Sequence, residues 1–84
     1  MTREEIQSKI IEIFREKFEI ENPGLEDNLR EEHKFDSIDA IDLLVVIEDM
    51  LETSLSQDEK KLAMEIRNIN QIVDFVVEIE KARS

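Results

Sequence analysis

The sequence contains no cysteine and only one histidine, one glycine and one proline among its 84 residues. Without a thiol, the chain can form no disulfide, perform no thiol catalysis and offer no cysteine ligand to a metal. A single histidine, His33, is too few for a histidine-rich metal site or a histidine relay within one chain. The Gly-x-Ser-x-Gly motif of serine hydrolases is also missing. We therefore expect no metal centre and no catalytic site.

Long apolar runs are absent as well. No stretch approaches the ~20 apolar residues that a membrane-spanning helix needs. Arg3, Glu4 and Glu5 stand where a secretory signal would require an apolar segment. These features predict a cytoplasmic protein without membrane insertion, and the length of 84 residues predicts a single domain covering residues 1–84.

Positive charge is scarce and unevenly distributed. Eleven Lys and Arg residues oppose 22 Asp and Glu residues, which gives a net charge of −11. Residues 35–59 contain eight acids and no Lys or Arg. Such an excess argues against nucleic acid and anionic membranes as partners and favours basic protein surfaces.

The first half of the chain predicts one long helix followed by a long connection. Thr2-Arg3-Glu4-Glu5 has the spacing of a capping box, and apolar residues then recur at helical intervals to about Phe18. Pro23 and Gly24 stop any helix, and a polar connection runs to about residue 34. Within it we expect Leu25 and Leu29 to be buried against the bundle.

The second half predicts three more helices. One should run from Ser37, as its N-cap, to about Leu51. Ser56-Gln57-Asp58-Glu59 is a second capping box and opens a shorter helix, whose expected apolar members are Leu62, Ala63 and Ile66. Asn68 caps a final helix that ends near Ala82. The predicted fold is all-α: a small four-helix bundle with a short third helix and a long loop between the first two.

The predicted second helix carries more apolar residues than one buried face can use. At roughly 100° per residue they fall on nearly opposite sides, with Leu43, Val46, Ile47 and Met50 on one and Ile38, Ile41 and Val45 on the other. We expect the first group to face the core and the second to form an exposed strip edged by acids, suited to a partner with an apolar and basic surface. The alternative is a bundle that covers both sides of the helix.

The residues around Ser37 resemble a known family. Asp36-Ser37-Ile38 stands at the predicted start of the second helix, preceded by Phe35 and continued by Asp39, Ile41, Leu43, Ile47 and Glu48. This pattern resembles the Asp-Ser-Leu motif of acyl carrier proteins, which are small, acidic, cysteine-poor four-helix bundles. The stretch from Asn68 to Val76 is similar to the last helix of that family, so the resemblance covers nearly the whole chain.

The resemblance implies a prosthetic group and a non-enzymatic function. In the family, a transferase moves 4′-phosphopantetheine from coenzyme A onto the motif serine, here Ser37, flanked by Asp36 and Ile38. The thiol at the end of this arm holds an acyl group as a thioester, which suits a chain without cysteine. The implied function is an acyl carrier in fatty-acid, lipid or polyketide-type synthesis, acting as a monomer.

The resemblance also implies two sets of contact residues. Partner enzymes of the family use basic patches to recognise the second helix. The docking residues would therefore be Asp36, Ile38, Asp39, Ile41, Asp42, Val45, Glu48 and Asp49. A sequestered acyl chain would lie between helices lined by Leu43, Val46, Ile47, Ile66 and Ile72.

Some positions depart from the family pattern, and alternatives stay open. His33 and Lys34 occupy places where the family usually has Leu-Gly, and the segment before Ile69 is longer than usual, which indicates a specialised carrier. An aminoacyl or D-alanyl carrier is an alternative, although Phe35 does not resemble the glycine-rich lead-in of peptidyl carriers. From another class, the chain could be an acidic helical adaptor without a prosthetic group, with Ser37 only a helix cap. We expect His33 to be an ordinary loop residue, the alternative being a pH-sensitive contact to the phosphate of the arm.

Overall fold

The computed structural model describes residues 1–83, which form five α-helices and no strand. The all-α prediction is confirmed, with one helix more than the sequence indicated. Among these residues no helix has the length and hydrophobicity needed to cross a membrane. The helices are α1 (Arg3–Lys17), α2 (Leu29–His33), α3 (Ser37–Leu51), α4 (Gln57–Ala63) and α5 (Ile69–Arg83).

Helix α1 begins at the predicted capping box. The Thr2 hydroxyl accepts a hydrogen bond from the Glu5 N–H at 3.2 Å, and the Glu5 carboxylate accepts one from the Thr2 N–H at 3.0 Å. The helix ends one residue earlier than predicted, with Phe18 as its C-cap. Its fully buried side chains repeat at intervals of four residues and are Ile6, Ile10 and Phe14. This spacing turns one face of α1 into the core.

Helix α5 packs along α1 and supplies much of the core. Its buried side chains recur at helical spacing and are Ile69, Ile72, Val73, Val76 and Ile79. The Asn68 side chain accepts a hydrogen bond from the Gln71 N–H at 2.9 Å. The third predicted N-cap is therefore confirmed, and the helix continues to Arg83, one residue beyond the predicted end.

The long connection contains α2, although the sequence predicts only a polar loop there. The Asn28 side chain caps α2 by accepting hydrogen bonds from the Arg30 and Glu31 N–H groups, both at 3.1 Å. Only Leu29 of this helix is buried. Five residues with one apolar anchor are too few for helical periodicity to be read from the sequence.

Both leucines of the connection lie against the core, as predicted. Leu29 is 1% exposed and Leu25 is partly buried. Backbone hydrogen bonds add to this packing, since the Leu29 N–H donates to the Arg67 carbonyl at 2.8 Å and the Asn70 N–H donates to the Leu25 carbonyl at 3.1 Å. The connection is thus joined to the segment between α4 and α5 and to the first turn of α5.

Phe35 fixes the place where α3 begins. Its buried ring lies 5.0 Å from the Phe14 ring and 5.2 Å from the Phe18 ring, measured between centroids. Aromatic pairs at such distances pack favourably in addition to the area that they bury. Helix α3 therefore starts two residues after an anchor in the core, and its bounds agree with the predicted ones.

Helix α4 begins at its predicted capping box, where the Ser56 hydroxyl accepts from the Glu59 N–H at 3.1 Å. Ala63 is buried and Ile66, beyond the helix end, is partly buried. Leu62 is 61% exposed, so its predicted place on the apolar face was wrong. Neighbouring helical positions point about 100° apart, and a short helix covered along one edge does not bury both.

Candidate functional site

The N-cap of α3 is Asp36 and not Ser37. Asp36 Oδ1 accepts a hydrogen bond from the Asp39 N–H at 3.0 Å, and Asp39 Oδ2 accepts one from the Asp36 N–H at 3.2 Å. An aspartate caps as well as a serine, and its charge also suits the positive end of the helix dipole. The predicted cap was therefore wrong by one residue, because a carboxylate stood next to the hydroxyl. Ser37 is the first helical residue.

Because Asp36 caps the helix, the Ser37 side chain has no structural role there. Ser37 is exposed, and its hydroxyl makes no hydrogen bond with any residue from 1 to 83. Ser56 is the contrast, since its hydroxyl is occupied by the cap of α4. Because Phe35 is held in the core nearby, the free hydroxyl of Ser37 occupies a defined place on the surface. It is accessible to a large donor molecule.

His33, the only histidine, lies in α2 and braces the connection. Its Nε2 is 3.1 Å from Asp27 Oδ2, which also accepts a hydrogen bond from the Gly24 N–H at 2.8 Å. These hydrogen bonds, with that of His33 the larger cause, hold the pKa of the Asp27 carboxyl below its usual range. His33 thus stabilises the connection, and it lies in a short helix instead of the irregular loop that the sequence predicts.

Lys34 ends α2 in a left-handed conformation, with φ at 56°. For residues other than glycine this region costs roughly 1–2 kcal/mol. The resemblance places a glycine at this position, and the backbone angle gives the physical reason. Lys34 therefore retains a turn that glycine would form with less strain.

The exposed strip on α3 is present. We use this name for Ile38, Ile41 and Val45, which are 69%, 55% and 52% exposed. The opposite side of the helix buries Leu43 and Ile47. The alternative in which the bundle covers both sides of this helix is therefore wrong. Val46 and Met50, predicted to face the core, are only partly buried.

The acids of α3 fall into two groups. Asp36 and Asp39 bond to each other's backbone, and Glu48 Oε2 accepts a hydrogen bond from the Leu55 N–H at 2.8 Å. These three carboxylates hold the two ends of α3. Asp42 and Asp49 are exposed and have no hydrogen-bond or ion-pair partner among residues 1–83. Their charges are available to an approaching molecule.

Metal ligands are not grouped anywhere in the described part of the chain. No cluster of three or more His, Cys, Asp or Glu side chains is placed to hold an ion there.

A small cavity lies in the interior beside α3, α4 and α5. Its volume is about 20 Å³, which is room for a single water molecule. Four of the five predicted pocket residues line it, and Val46 does not. The lining is Arg30, Phe35, Ala40, Leu43, Leu44, Ile47, Ala63, Met64, Ile66 and Ile72. An acyl chain could enter only if the helices moved apart.

Sequence reasoning had missed Leu44 and Ala63 at this cavity. Leu44 lies between the two apolar stripes of α3, and the helical pattern alone does not tell which flank a neighbour covers. The structure shows that α4 packs there and that Leu44, Ala63 and Leu55 form a second small cluster with Ile79. The only indication in the sequence that Leu44 is buried is that this residue is apolar.

Comparison with known proteins decides the family. A family model described as the phosphopantetheine attachment site matches residues 8–76, which are 69 of the 84 residues. The chain belongs to this family. No curated protein and no solved structure matched it.

The phosphopantetheine-attachment family comprises acyl carrier proteins and related carriers. Its domains carry a covalent 4′-phosphopantetheine group and are not catalysts. They work with a phosphopantetheinyl transferase and with enzymes that handle the acyl cargo. The suspected membership and the expected cofactor are therefore confirmed.

The described residues fit such a group at the start of α3. Attachment needs an exposed hydroxyl that no other group occupies, and Ser37 offers one. A phosphate on the first helical residue would lie near the positive end of the helix dipole, which favours negative charge. Asp36 and Asp39 oppose that effect in part, but their carboxylates are already bonded to backbone N–H groups.

Proposed function

We propose that this carrier is a monomeric, single-domain cytoplasmic acyl carrier protein with its arm attached to Ser37. It presents acyl intermediates to partner enzymes of fatty-acid, lipid or polyketide-type synthesis. The main support is the free and exposed Ser37 hydroxyl, which Asp36 has relieved of capping. The arm, when attached, supplies a thiol that holds the cargo as a thioester.

Packing and hydrogen bonds within the chain fix the position of Ser37, the proposed attachment residue. Phe35, the residue before the cap, packs against the rings of Phe14 and Phe18. The reciprocal hydrogen bonds of Asp36 and Asp39 then fix the first turn. Ser37 therefore reaches the transferase in one orientation, with little conformational entropy left to lose on binding.

Docking of partner enzymes is proposed to use the surface next to Ser37. Ile38, Ile41 and Val45 offer apolar contact, while Asp42 and Asp49 offer free carboxylates to basic side chains. Asp36, Asp39 and Glu48 add negative potential to the same surface. Since their oxygens already accept backbone hydrogen bonds, we expect substitutions of these three to act mainly through the shape of α3.

The cargo is proposed to enter the interior at the small cavity. Leu43, Ile47, Ile66 and Ile72 line it and are apolar, so they suit an alkyl chain. Because the cavity now holds about 20 Å³, an alkyl cargo would have to separate α3 from its neighbours. Val46, which lies outside the lining, would contact the cargo only after that movement.

The attachment site can be tested by mass spectrometry. The unmodified protein is incubated with coenzyme A, Mg²⁺ and a broad-specificity phosphopantetheinyl transferase. We expect wild type to gain one phosphopantetheine and Ser37→Ala to gain none. Ser54→Ala is the matched control, because Ser54 is also exposed, and it should be modified like wild type.

Two results would contradict the proposal. One is a wild-type protein that several such transferases leave unmodified, and the other is equal modification of Ser37→Ala. The mass of the group that the protein carries in its native host separates an acyl carrier from an aminoacyl or D-alanyl carrier. The adaptor without a prosthetic group has lost its support, because the family carries one.

A further inference from the structure

A groove runs along the surface between α3 and α4. Its volume is about 330 Å³, which is far larger than the interior cavity. The apolar part of its lining consists of Ile41, Leu44, Val45 and Met64, and the polar part of Glu48, Gln57, Lys60 and Lys61. Two residues of the exposed strip thus form one wall of the groove. The sequence pattern did not reveal it, because it depends on where α4 packs.

The charged side chains that line the groove sum to a positive charge, although the chain as a whole is strongly acidic. Lys60 and Lys61 stand on the α4 wall, and neither pairs with a carboxylate among residues 1–83. Glu48, on the α3 wall, is occupied by the Leu55 N–H. The groove therefore holds two lysines and one carboxylate beside an apolar floor, so its net charge is positive and neither lysine has an ion-pair partner among residues 1–83.

The opposite edge of the exposed strip is negative. At about 100° per residue, Asp42 and Asp49 project within roughly 40° of Ile38, on the side of the strip away from Ile41 and Glu48. Both carboxylates lack a partner in the described part of the chain. The strip consequently separates an acidic edge on α3 from a basic edge on α4.

We propose that this face binds an amphipathic helix of a partner enzyme whose two edges carry opposite charges. The helix places an apolar side chain in the groove, a basic residue towards Asp42 and Asp49, and an acidic residue towards Lys60 and Lys61. A helix that is basic on both edges meets repulsion at the lysines, so the face discriminates between partners by charge. The inference rests on the proposed docking function and adds the acidic edge of the partner.

The test uses two synthetic helical peptides with the same apolar residues. One carries lysines on one edge and glutamates on the other, and the second carries lysines on both. Their dissociation constants are measured by fluorescence anisotropy with unmodified wild-type protein and with the variant Lys60→Glu/Lys61→Glu. The two peptides differ in net charge, so the general attraction of the all-lysine peptide to the acidic chain enters this ratio, and comparison with a second variant of equal net charge removes it.

We expect the variant to shift this ratio towards the all-lysine peptide by about five- to tenfold, since two exposed charge pairs reverse their sign. The variant Lys9→Glu/Lys17→Glu is the matched control. It makes the same change of net charge on α1, at two exposed lysines. Its ratio should stay within about twofold of wild type.

The proposal is overturned if Lys60→Glu/Lys61→Glu leaves the ratio unchanged or if the control shifts it equally. It is also overturned if neither peptide binds better than its scrambled sequence. Sedimentation that shows a wild-type dimer, lost in the Lys60→Glu/Lys61→Glu variant, would assign the groove to a second copy instead. The protein is unmodified throughout, so failure here is distinct from failure of attachment at Ser37.

Discussion

The carboxylate of Asp36 accepts the N–H three residues further along α3, as the Ser56 hydroxyl does in α4. A side-chain oxygen that caps a helix is held in place by the backbone N–H that donates to it. At α3 the carboxylate has taken this function and the following serine is left free. A difference of one residue in capping therefore leaves the Ser37 hydroxyl free, as the proposed attachment requires.

This account predicts a specific stability cost at Asp36. Asp36→Ala removes the side-chain acceptor of the capping box and should lower the free energy of unfolding by about 1 kcal/mol. Asp36→Asn keeps an acceptor and should cost only a few tenths of a kcal/mol, because asparagine also caps well. Urea unfolding followed by circular dichroism measures both variants.

Asp42→Ala is the control for the removal of one negative charge. Asp42 is exposed and has no partner among residues 1–83, so its loss should leave stability within about 0.5 kcal/mol of wild type. If Asp36→Ala and Asp42→Ala unfold alike, Asp36 does not carry the cap.

At the scale of elements, Arg83 joins the end of α5 to α4 and to the connection before it. Its guanidinium donates to both Glu59 carboxylate oxygens, at 2.7 and 2.9 Å. It also donates to the Thr53 hydroxyl at 2.9 Å and to the Ser54 carbonyl at 3.1 Å. Because Ser56 and Glu59 cap α4, Arg83 braces the helix that forms the basic wall of the groove.

These contacts predict a pH dependence. The hydrogen bond from Arg83, followed by that from the Ser56 N–H, lowers the pKa of Glu59 from 4.5 to about 2. Since the pKa in the folded state lies below that of the unfolded state, the ionised carboxylate stabilises the fold above about pH 4.5. That contribution should be lost as the pH falls towards 2.

Carboxyl NMR titration of Glu59 measures this directly. Arg83→Gln should return the pKa of Glu59 towards 4.5 and weaken the dependence of stability on pH between these values. Arg3→Gln serves as the control, because Arg3 pairs with Asp74 on another part of the surface. A native Glu59 that titrates at its ordinary value would refute the proposed contact.

At the scale of the whole molecule, the connection between α1 and α3 is part of the core. Leu29 is 1% exposed within the cluster formed by α1, α3 and α5. Phe35, at the end of the connection, packs on α1. The site at Ser37 therefore depends on packing between segments that are distant in the sequence.

Leu29→Ala should destabilise the protein by roughly 2–5 kcal/mol, since it leaves a cavity in a fully packed region. Leu62→Ala is the matched control: the same atoms are removed from a side chain that is 61% exposed, and the change should stay within about 0.5 kcal/mol. Thermal or urea unfolding measures both. Equal effects of the two substitutions would mean that the connection is not packed as described.

The sequence by itself determined the local features of this protein. The capping boxes of α1 and α4, the bounds of α3 and the two apolar sides of that helix all follow from patterns within a few residues, because helical geometry relates neighbouring positions. The motif around Ser37 likewise identified the family, which the comparison confirmed. Ser37 as the attachment residue stays a prediction until the mass measurement is made.

The tertiary structure decided which positions a neighbour covers. It packed the connection on the core through Leu29 and buried Ala63 in place of Leu62. It also directs the Leu55 N–H to the Glu48 carboxylate and places Lys60 and Lys61 opposite α3. These outcomes depend on contacts between residues far apart in the chain, and no periodic pattern along one helix specifies what packs against it.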